Sequence, residues 1–287
     1  MAAPAQESSQ VNSQIYYDSL AEGFSEQDEF WNNSYDNEIW RLEHDLIQPY
    51  LDESSPLLDL GCGFYPHSEL AANRIVIAID ISRGSLNVAR EQGDQSDRVA
   101  LIQADAEVLP FHSGTFGQAI AGGELFNHLD YRKCLRELNQ TMKPGGVLLL
   151  QFGAKWCLDS LWALLDSHTG GHIGYALTKE EARSFFRGCH RDVSVTWEVT
   201  PKGNFNVHLL GVGNVRAAVT SAGFDIVDTY GAFSISGLIP LPLQQRSQPG
   251  LFGRLAAVLI RCDRMLGRLY PFRAFAGNVF FVCRKHR

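Results

Sequence analysis

The sequence predicts an α/β protein built on a doubly wound, mostly parallel sheet of seven strands. From Leu57 onward, short apolar runs alternate with amphipathic stretches, which is the pattern of repeated strand and helix units. Two glycines one residue apart follow the first apolar run, at the end of a strand where open α/β sheets bind ligands. The 287 residues are enough for one large core with additions.

Seven apolar runs account for the predicted sheet. They lie at 56–60, 75–80, 99–103, 116–121, 146–152, 224–230 and 278–283. Helices are predicted between them at 68–73, 83–92, 131–142 and 212–222. The third of these helices ends before Lys143, Pro144 and two glycines, which form a stop signal.

The chain is expected to divide into four parts. Residues 1–55 mix aromatic and acidic side chains and indicate an N-terminal helical lid, whereas residues 56–152 hold the first five strands. Residues 153–210 interrupt the repeating pattern with two helical stretches and a β-hairpin, and we expect them to form a substrate cap. Residues 211–287 complete the sheet and include a basic amphipathic helix at 251–270.

Charge is distributed unevenly along the chain. Residues 245–287 carry nine Lys or Arg against one acid, a balance of +8, whereas the rest carries −15. Because phosphate neutralisation supplies most of the affinity for nucleic acids, the acidic body argues against such a partner. Four arginines of the helix at 251–270 lie beside its apolar positions, which fits weak membrane-surface contact or, the interpretation favoured here, an ordinary solvated face.

Cysteine usage and the first residues favour a reducing compartment. The six cysteines form no C-x-x-C pair and show no regular spacing, which argues against a disulfide framework or a structural zinc site. No cluster of potential ligands has metal-binding spacing, so we expect no metal requirement. The opening residues lack the pattern of a secretory signal, and a cytoplasmic location is expected.

The strongest local signal is the sequence LLDLGCG, which begins at Leu57. Gly61 and Gly63 have no Cβ, so the backbone of this turn can approach a ligand closely. Asp80 ends the second predicted strand about 20 residues later, where a carboxylate can accept both hydroxyls of an adenosine ribose. Asp105 follows the third strand, and the fourth strand opens into Gly122. All these positions lie at strand carboxyl ends.

These segments resemble the class I S-adenosylmethionine (SAM) dependent methyltransferases, especially the small-molecule group that includes quinone-biosynthesis enzymes. The matching segments are LLDLGCG, VIAIDIS, QADAEVLPF, AGGELFNHL and MKPGGVLLLQF, in the family's order and spacing. The resemblance implies a Rossmann-like sheet whose last strand is antiparallel, a SAM cofactor and a small-molecule methyl acceptor. The cofactor contacts that it implies are Asp59, Gly61, Cys62 and Gly63 at the methionine part, Asp80 and Ile81 at the ribose, Asp105 and Ala106 at the adenine, and Gly122 at the crevice. Tyr16 or Tyr17 is expected to close the site.

Two departures from the family pattern affect individual assignments. Phe64, Tyr65 and Pro66 follow the glycine pair where a third small residue is usual, so the next loop must be reshaped. Gly117 and Gln118 stand where an aspartate is often found in the fourth strand. A nicotinamide-binding alternative is disfavoured, because the third glycine of its G-x-G-x-x-G motif would fall on Pro66.

One histidine is a candidate for acting on the acceptor. His128 follows the fourth strand and is a candidate catalytic base, but a capping or structural histidine fits the same position. A base is optional, since SAM already carries an electrophilic methyl group. Three functions stay open: methylation of a soluble small molecule, which is favoured, methylation of a lipid or prenylated acceptor at a membrane surface, and SAM binding without catalysis. Trp162 and Trp197 are expected to line the acceptor pocket.

Overall fold

A computed structural model describes residues 5–24, 34–92, 97–175, 177–186, 192–200, 203–244 and 251–287. Seven strands form one sheet: β1 (Leu57–Leu60), β2 (Val76–Asp80), β3 (Val99–Gln103), β4 (Phe116–Ala121), β5 (Met142–Gly153), β8 (Phe224–Ala232) and β9 (Asn278–Lys285). A separate hairpin pairs β6 (Val193–Thr200) with β7 (Gly203–Leu209). The order in the sheet is β3-β2-β1-β4-β5-β9-β8, and β9 is the one strand of this sheet that runs opposite to the other six. The predicted fold class is confirmed.

Helices cover both faces of this sheet. The described helices, including those that pack elsewhere, are α1 (Ala5–Glu22), α2 (Ser34–Ile47), α3 (Arg83–Gln92), α4 (Tyr131–Thr141), α5 (Leu158–Thr169), α6 (Lys179–Ser184), α7 (Val212–Ser221), α8 (Leu241–Gln244) and α9 (Leu251–Leu266). Among the described helices, none is both long and apolar enough to cross a membrane.

Side chains alternate between the two faces of the sheet and form two cores. On one face, Leu58 and Leu148 pack with residues of α4 and α7 such as Leu135 and Val215. On the other face, their sequence neighbours Leu57 and Leu149 pack with residues of α2 and α9. This two-sided burial explains why the strands read as continuous apolar runs in the sequence.

The chain reverses its direction of sheet growth after β3. The units β1, β2 and β3 extend the sheet to one side, and β4 then pairs with the other edge of β1. The carboxyl ends of β1 and β4 therefore border a crevice of the kind in which doubly wound folds bind ligands.

Three predicted boundaries are wrong. The helix expected at 68–73 is a single 3-10 turn, Ser68–Ala71, because Pro66 and the short link to β2 leave no room for a longer helix. Strand β5 begins at Met142, with a register shift near Phe116, so the glycines of the stop signal lie within the strand. Helix α9 ends at Leu266, four residues earlier than expected, and Gly267 follows it.

The residues between β5 and α7 form a subdomain with a small core of its own. Ala163 of α5, Phe185, Val195 and Val207 are buried together. Tyr16 and Tyr17 of α1 pack against the same cluster. Helix α1 thus lies between this subdomain and α3, and it contacts both.

Candidate active site

The glycine turn after β1 combines one packed glycine with one open glycine. Both residues have left-handed backbones, with φ of 63° at Gly61 and 55° at Gly63. A Cβ at Gly61 would come within 2.8 Å of Leu125 Cδ1, whereas a Cβ at Gly63 would meet no atom within 4 Å. Gly61 is therefore needed for packing and for its backbone conformation, and Gly63 faces open space where a ligand can approach.

Asp80 ties the end of β2 to this turn. Its Oδ2 accepts a hydrogen bond from the Gly63 N–H at 2.9 Å, and its Oδ1 accepts one from the Ser82 N–H at 2.8 Å. Burial raises the pKa of Asp80 to about 6, against the effect of these two hydrogen bonds. A carboxylate offers about four acceptor positions, so two are left for the hydroxyls of a ribose. The adjacent Ile81 is half-buried, and its carbonyl accepts from the Gln103 amide at 3.1 Å.

Asp18 fastens α1 to the loop after β2. One of its oxygens accepts from the Ser82 hydroxyl at 2.7 Å and from the Gly84 N–H at 2.9 Å. A Cβ at Gly84 would lie 2.8 Å from that of Ala21, so the two helices touch here. The sequence analysis missed Asp18, although it directly follows the two tyrosines that were singled out.

Tyr17 reaches from α1 into the space between the ends of β2 and β4. Its ring lies edge-on to His128, with centroids 6.1 Å apart, and edge-on to Tyr16 at 5.3 Å. Burial, Tyr16 and the carboxylates of Asp80 and Glu124 raise the pKa of its hydroxyl, which therefore stays protonated. Of the two tyrosines, Tyr17 is the one placed among the predicted site residues.

His128 faces the β-hairpin. Burial and the neighbouring His208 of β7 lower the pKa of His128 to about 4, so this ring is neutral at pH 7. Asn127 holds the two sides together: its amide nitrogen donates to the carbonyls of His208 at 2.5 Å and Gly153 at 3.0 Å. The hairpin is thus fixed against the ends of β4 and β5.

Glu124 is a further titratable side chain beside the crevice. It has a left-handed backbone, φ 59°, which is unusual for a residue other than glycine. Its carboxylate accepts a hydrogen bond from Tyr35 Oη at 3.4 Å and one from Asn278. Burial raises its pKa to about 7. The sequence analysis quoted this residue within AGGELFNHL but gave it no role.

Gly122 leaves room for a side chain of α2 in the structure. Any Cβ at this position would overlap the carboxylate of Glu43, which also accepts from the Gly123 N–H at 2.7 Å. The absence of a side chain at Gly122 is therefore explained by helix packing, whereas the sequence analysis attributed it to the crevice.

Asp59 and His67 belong to a buried ionic cluster beneath the glycine turn. Asp59 accepts from the His67 N–H at 2.9 Å, and burial raises the pKa of this carboxyl. The His67 ring stacks on Trp40 at 4.1 Å and lies 3.4 Å from Glu43 Oε2 and 3.3 Å from Glu69 Oε1. Burial lowers the pKa of His67, but the surrounding acids outweigh it and raise the value to about 10.

The remaining predicted contacts lie along the same edge of the sheet. Asp105 turns the chain after β3 by accepting from the Glu107 N–H at 2.8 Å, and Ala106 beside it is buried. Cys62 is buried as well, and burial raises the pKa of its thiol. Within the described ranges, no group of three or more His, Cys, Asp or Glu could hold a metal ion.

Only some of the apolar side chains of residues 153–210 are turned toward the protein interior. The Trp162 indole donates to the Gly237 carbonyl at 3.1 Å, so this side chain anchors a neighbouring loop. Leu161 and Leu165 are exposed. The side chain of Trp197 lies outside the described residues.

Comparison with known proteins decides what kind of domain carries these residues. The model of a family described as a methyltransferase domain matches residues 58–150. This segment is a methyltransferase domain. The predicted resemblance to the class I SAM-dependent methyltransferases is confirmed.

Relatives and solved structures agree with this methyltransferase domain. An uncharacterized protein of Methanocaldococcus jannaschii is 27% identical over 150 residues, covering 51% of this chain and 55% of the relative. A demethylmenaquinone methyltransferase of Clavibacter sepedonicus is 32% identical over 115 residues, covering 40% and 47%. The chain spans about half the length of the curated relatives that it matches.

Two solved structures share the fold over most of the chain. The cyclase SpnF has a TM-score of 0.58 at 21% identity, covering 97% of this chain and 96% of SpnF. A SAM-dependent methyltransferase of Methanosarcina mazei has a TM-score of 0.54 at 16% identity, covering 84% and 97%. At these identities the comparison establishes the fold.

Proposed function

We propose that this chain is a SAM-dependent methyltransferase that acts on a small, largely apolar acceptor. The observation that carries the proposal is the open face of Gly63 beside Asp80, at the point where the sheet changes direction. A left-handed glycine pair after β1 and a carboxylate at the end of β2 are the two features that a bound adenosine group requires there.

The residues along the sheet edge fit such a cofactor. Gly61, Cys62 and Gly63 would border its methionine part above Asp59, Asp80 and Ile81 its ribose, and Asp105 with Ala106 its adenine. SAM supplies an electrophilic methyl group on a sulfonium sulfur when it is bound. The carboxylates of Asp18, Asp80 and Glu124 make this region acidic, which suits a cationic cofactor.

The acceptor would lie between the crevice and the subdomain formed by residues 153–210. His128 and His208 are neighbours across this boundary, and Tyr17 closes it from α1. Neutral histidine and tyrosine rings, backed by the apolar cluster around Val207, favour an aromatic or otherwise apolar molecule. The name demethylmenaquinone methyltransferase carried by several relatives is consistent with a quinone-like acceptor.

Ligand binding tests the proposal directly. Isothermal titration calorimetry of the purified chain should show binding of SAM and of its demethylated product S-adenosylhomocysteine, with no binding of NADH. Incubation with SAM and candidate phenols and quinols, followed by mass spectrometry, should then reveal one methylated product. NADH binding without SAM binding would contradict the assignment, and SAM binding without any methylated product across these acceptors would favour the non-catalytic alternative.

The Asp80→Ala substitution should weaken SAM binding by about 10- to 150-fold. The variant removes a charge-assisted acceptor, whose loss costs roughly 1.5–3 kcal/mol, and it also frees the Gly63 N–H. Since the pKa of Asp80 is raised to about 6, the ionised form is lost as the pH falls through that value. Wild-type affinity should therefore decrease below about pH 6, and calorimetry across this range measures both effects.

Asp105→Ala is the matched control, because it removes a carboxylate at a different position along the same edge of the sheet. It should affect recognition of the adenine more than that of the ribose. The readout is therefore the binding of adenosine-containing and inosine-containing analogues, compared in both variants. A folded Asp80→Ala protein with unchanged SAM affinity and an unchanged pH profile would place the ribose elsewhere.

A further inference from the structure

Helix α9 presents an apolar stripe to solvent. Its members are Leu251, Leu255, Val258, Cys262, Met265 and, just beyond the helix, Leu269, all of which are exposed. They recur at alternating intervals of four and three residues, so they share one side of the helix. Leu251 and Met265 are 80% and 82% exposed, so most of each side chain is open to solvent.

The opposite side of α9 explains how the helix is held. Ala256 and Ile260 are buried, Ile260 in the core against the sheet, and the buried Asp263 accepts from the backbone N–H groups of Ile235 and Ser236 at 2.7 and 3.0 Å. Arg264 forms an ion pair with Glu38 of α2. The helix is therefore anchored to the domain with its apolar side outward, the reverse of an ordinary surface helix.

Positive charge borders the exposed stripe. Arg254 and Arg261 are exposed along one side of it, and within the described part of the chain neither forms an ion pair. Asp263 is the one acidic residue of α9, and its burial leaves the exposed side without negative charge. Beyond the helix, apolar and positively charged side chains are again exposed together, at Tyr270, Arg273 and Phe275.

We propose that α9 docks this protein onto an anionic lipid bilayer, with the stripe in the headgroup–acyl boundary and the arginines against lipid phosphates. An exposed apolar stripe flanked by arginines is the composition of helices that lie in the membrane interface. A second copy of the chain fits less well, because an antiparallel pairing of two such stripes would bring Arg254 and Arg261 of both copies together without an acid. The inference goes beyond the proposed function, since docking requires neither SAM nor an acceptor.

Vesicle flotation of the full chain, without SAM or acceptor, tests the proposal. The protein should float with vesicles that contain phosphatidylglycerol, remain unbound with phosphatidylcholine alone, and dissociate as NaCl rises from about 0.05 to about 0.5 M. The Arg254→Gln/Arg261→Gln variant should bind about 30-fold more weakly, which corresponds to ~1 kcal/mol for each arginine near the surface. Leu255→Gln/Met265→Gln should bind at least ~10-fold more weakly, while Ile75→Gln, at an exposed apolar position before β2, should bind as wild type.

A label on the native thiol of Cys262 can report which side of α9 meets the membrane. Cys262 lies at the centre of the stripe and is exposed, whereas Cys62, Cys134 and Cys283 are buried. A polarity-sensitive label on Cys262, in a Cys157→Ser/Cys189→Ser background, should shift its emission to the blue with phosphatidylglycerol vesicles only. Equal binding to both vesicle types, or no effect of the α9 substitutions on flotation, would overturn the proposal. So would a dimer in sedimentation that the Leu255→Gln/Met265→Gln variant converts to monomer, because the stripe would then be occupied by a second copy.

Discussion

Replacing Glu43 by alanine is expected to lower the free energy of unfolding by about 3–5 kcal/mol, the cost of breaking a buried ion pair from one side. Glu43 is buried, contacts the protonated His67 at 3.4 Å and accepts from the Gly123 N–H at 2.7 Å. Its removal leaves a buried imidazolium with one acid fewer and a backbone donor without its acceptor. Urea denaturation followed by tryptophan fluorescence measures the change.

The pH dependence of stability separates this ionic effect from simple packing. The pKa of His67 is about 10 in the folded chain and about 6.5 in an unfolded one, so its stabilisation is complete below about pH 6.5 and is lost as the pH rises toward 10. In Glu43→Ala the folded pKa is lower, so the loss should still begin near pH 6.5 but should be smaller and end at lower pH. Glu43→Gln, which keeps the shape and an acceptor for Gly123, should be less destabilised, and Glu91→Ala on the exposed side of α3 should change stability by less than about 0.5 kcal/mol. Equal stability of Glu43→Ala and wild type would show that the cluster contributes little.

Glu124→Gln is expected to lower kcat by about 10²- to 10⁴-fold for an acceptor that must lose a proton, the usual contribution of a positioned base. Glu124 and His128 are two candidate bases, with a pKa of about 7 for Glu124 and about 4 for His128. A base is most effective when its pKa lies near the working pH, so Glu124 is better suited than the predicted His128. Its left-handed backbone keeps the carboxylate at the end of β4 at a conformational cost.

The pH profile of kcat distinguishes the two candidates. With wild type, kcat should rise as Glu124 ionises near pH 7, and this rise should be absent in Glu124→Gln. His128→Asn should retain the rise, since a histidine with a pKa of about 4 does not titrate in that range. SAM affinity should change less than about threefold in both variants, which calorimetry checks. Persistence of the rise near pH 7 in Glu124→Gln would assign it to another group.

The strands were predictable because each is a local pattern. Leu57, Ile79 and Leu149 lie in runs that are mostly apolar, since the sheet is covered on both faces, and strand bounds were found within a few residues. The glycine turn and Asp80 were found for the same reason, as their positions follow directly from the ends of strands.

The contacts that hold the site residues in place could not be predicted, because they join residues far apart in the chain. Asp18 binds a loop 64 residues away, and Glu43 binds one 80 residues away. Each is one of several acids on its helix, and only Asp18 has a local signal, the two tyrosines that it follows. The contact of Trp162 with the Gly237 carbonyl was not predicted for a similar reason, since the two residues are 75 positions apart.

The attachment of α1 is expected to govern how fast ligands exchange. Asp18 holds this helix on the loop after β2, and the Tyr17 ring lies beside that of His128. We propose that α1 covers the crevice, so that a ligand enters or leaves when the helix releases at least part of these contacts. The measured affinity would then be the intrinsic affinity reduced by the fraction of molecules that are open, and product release would follow the opening rate of the helix.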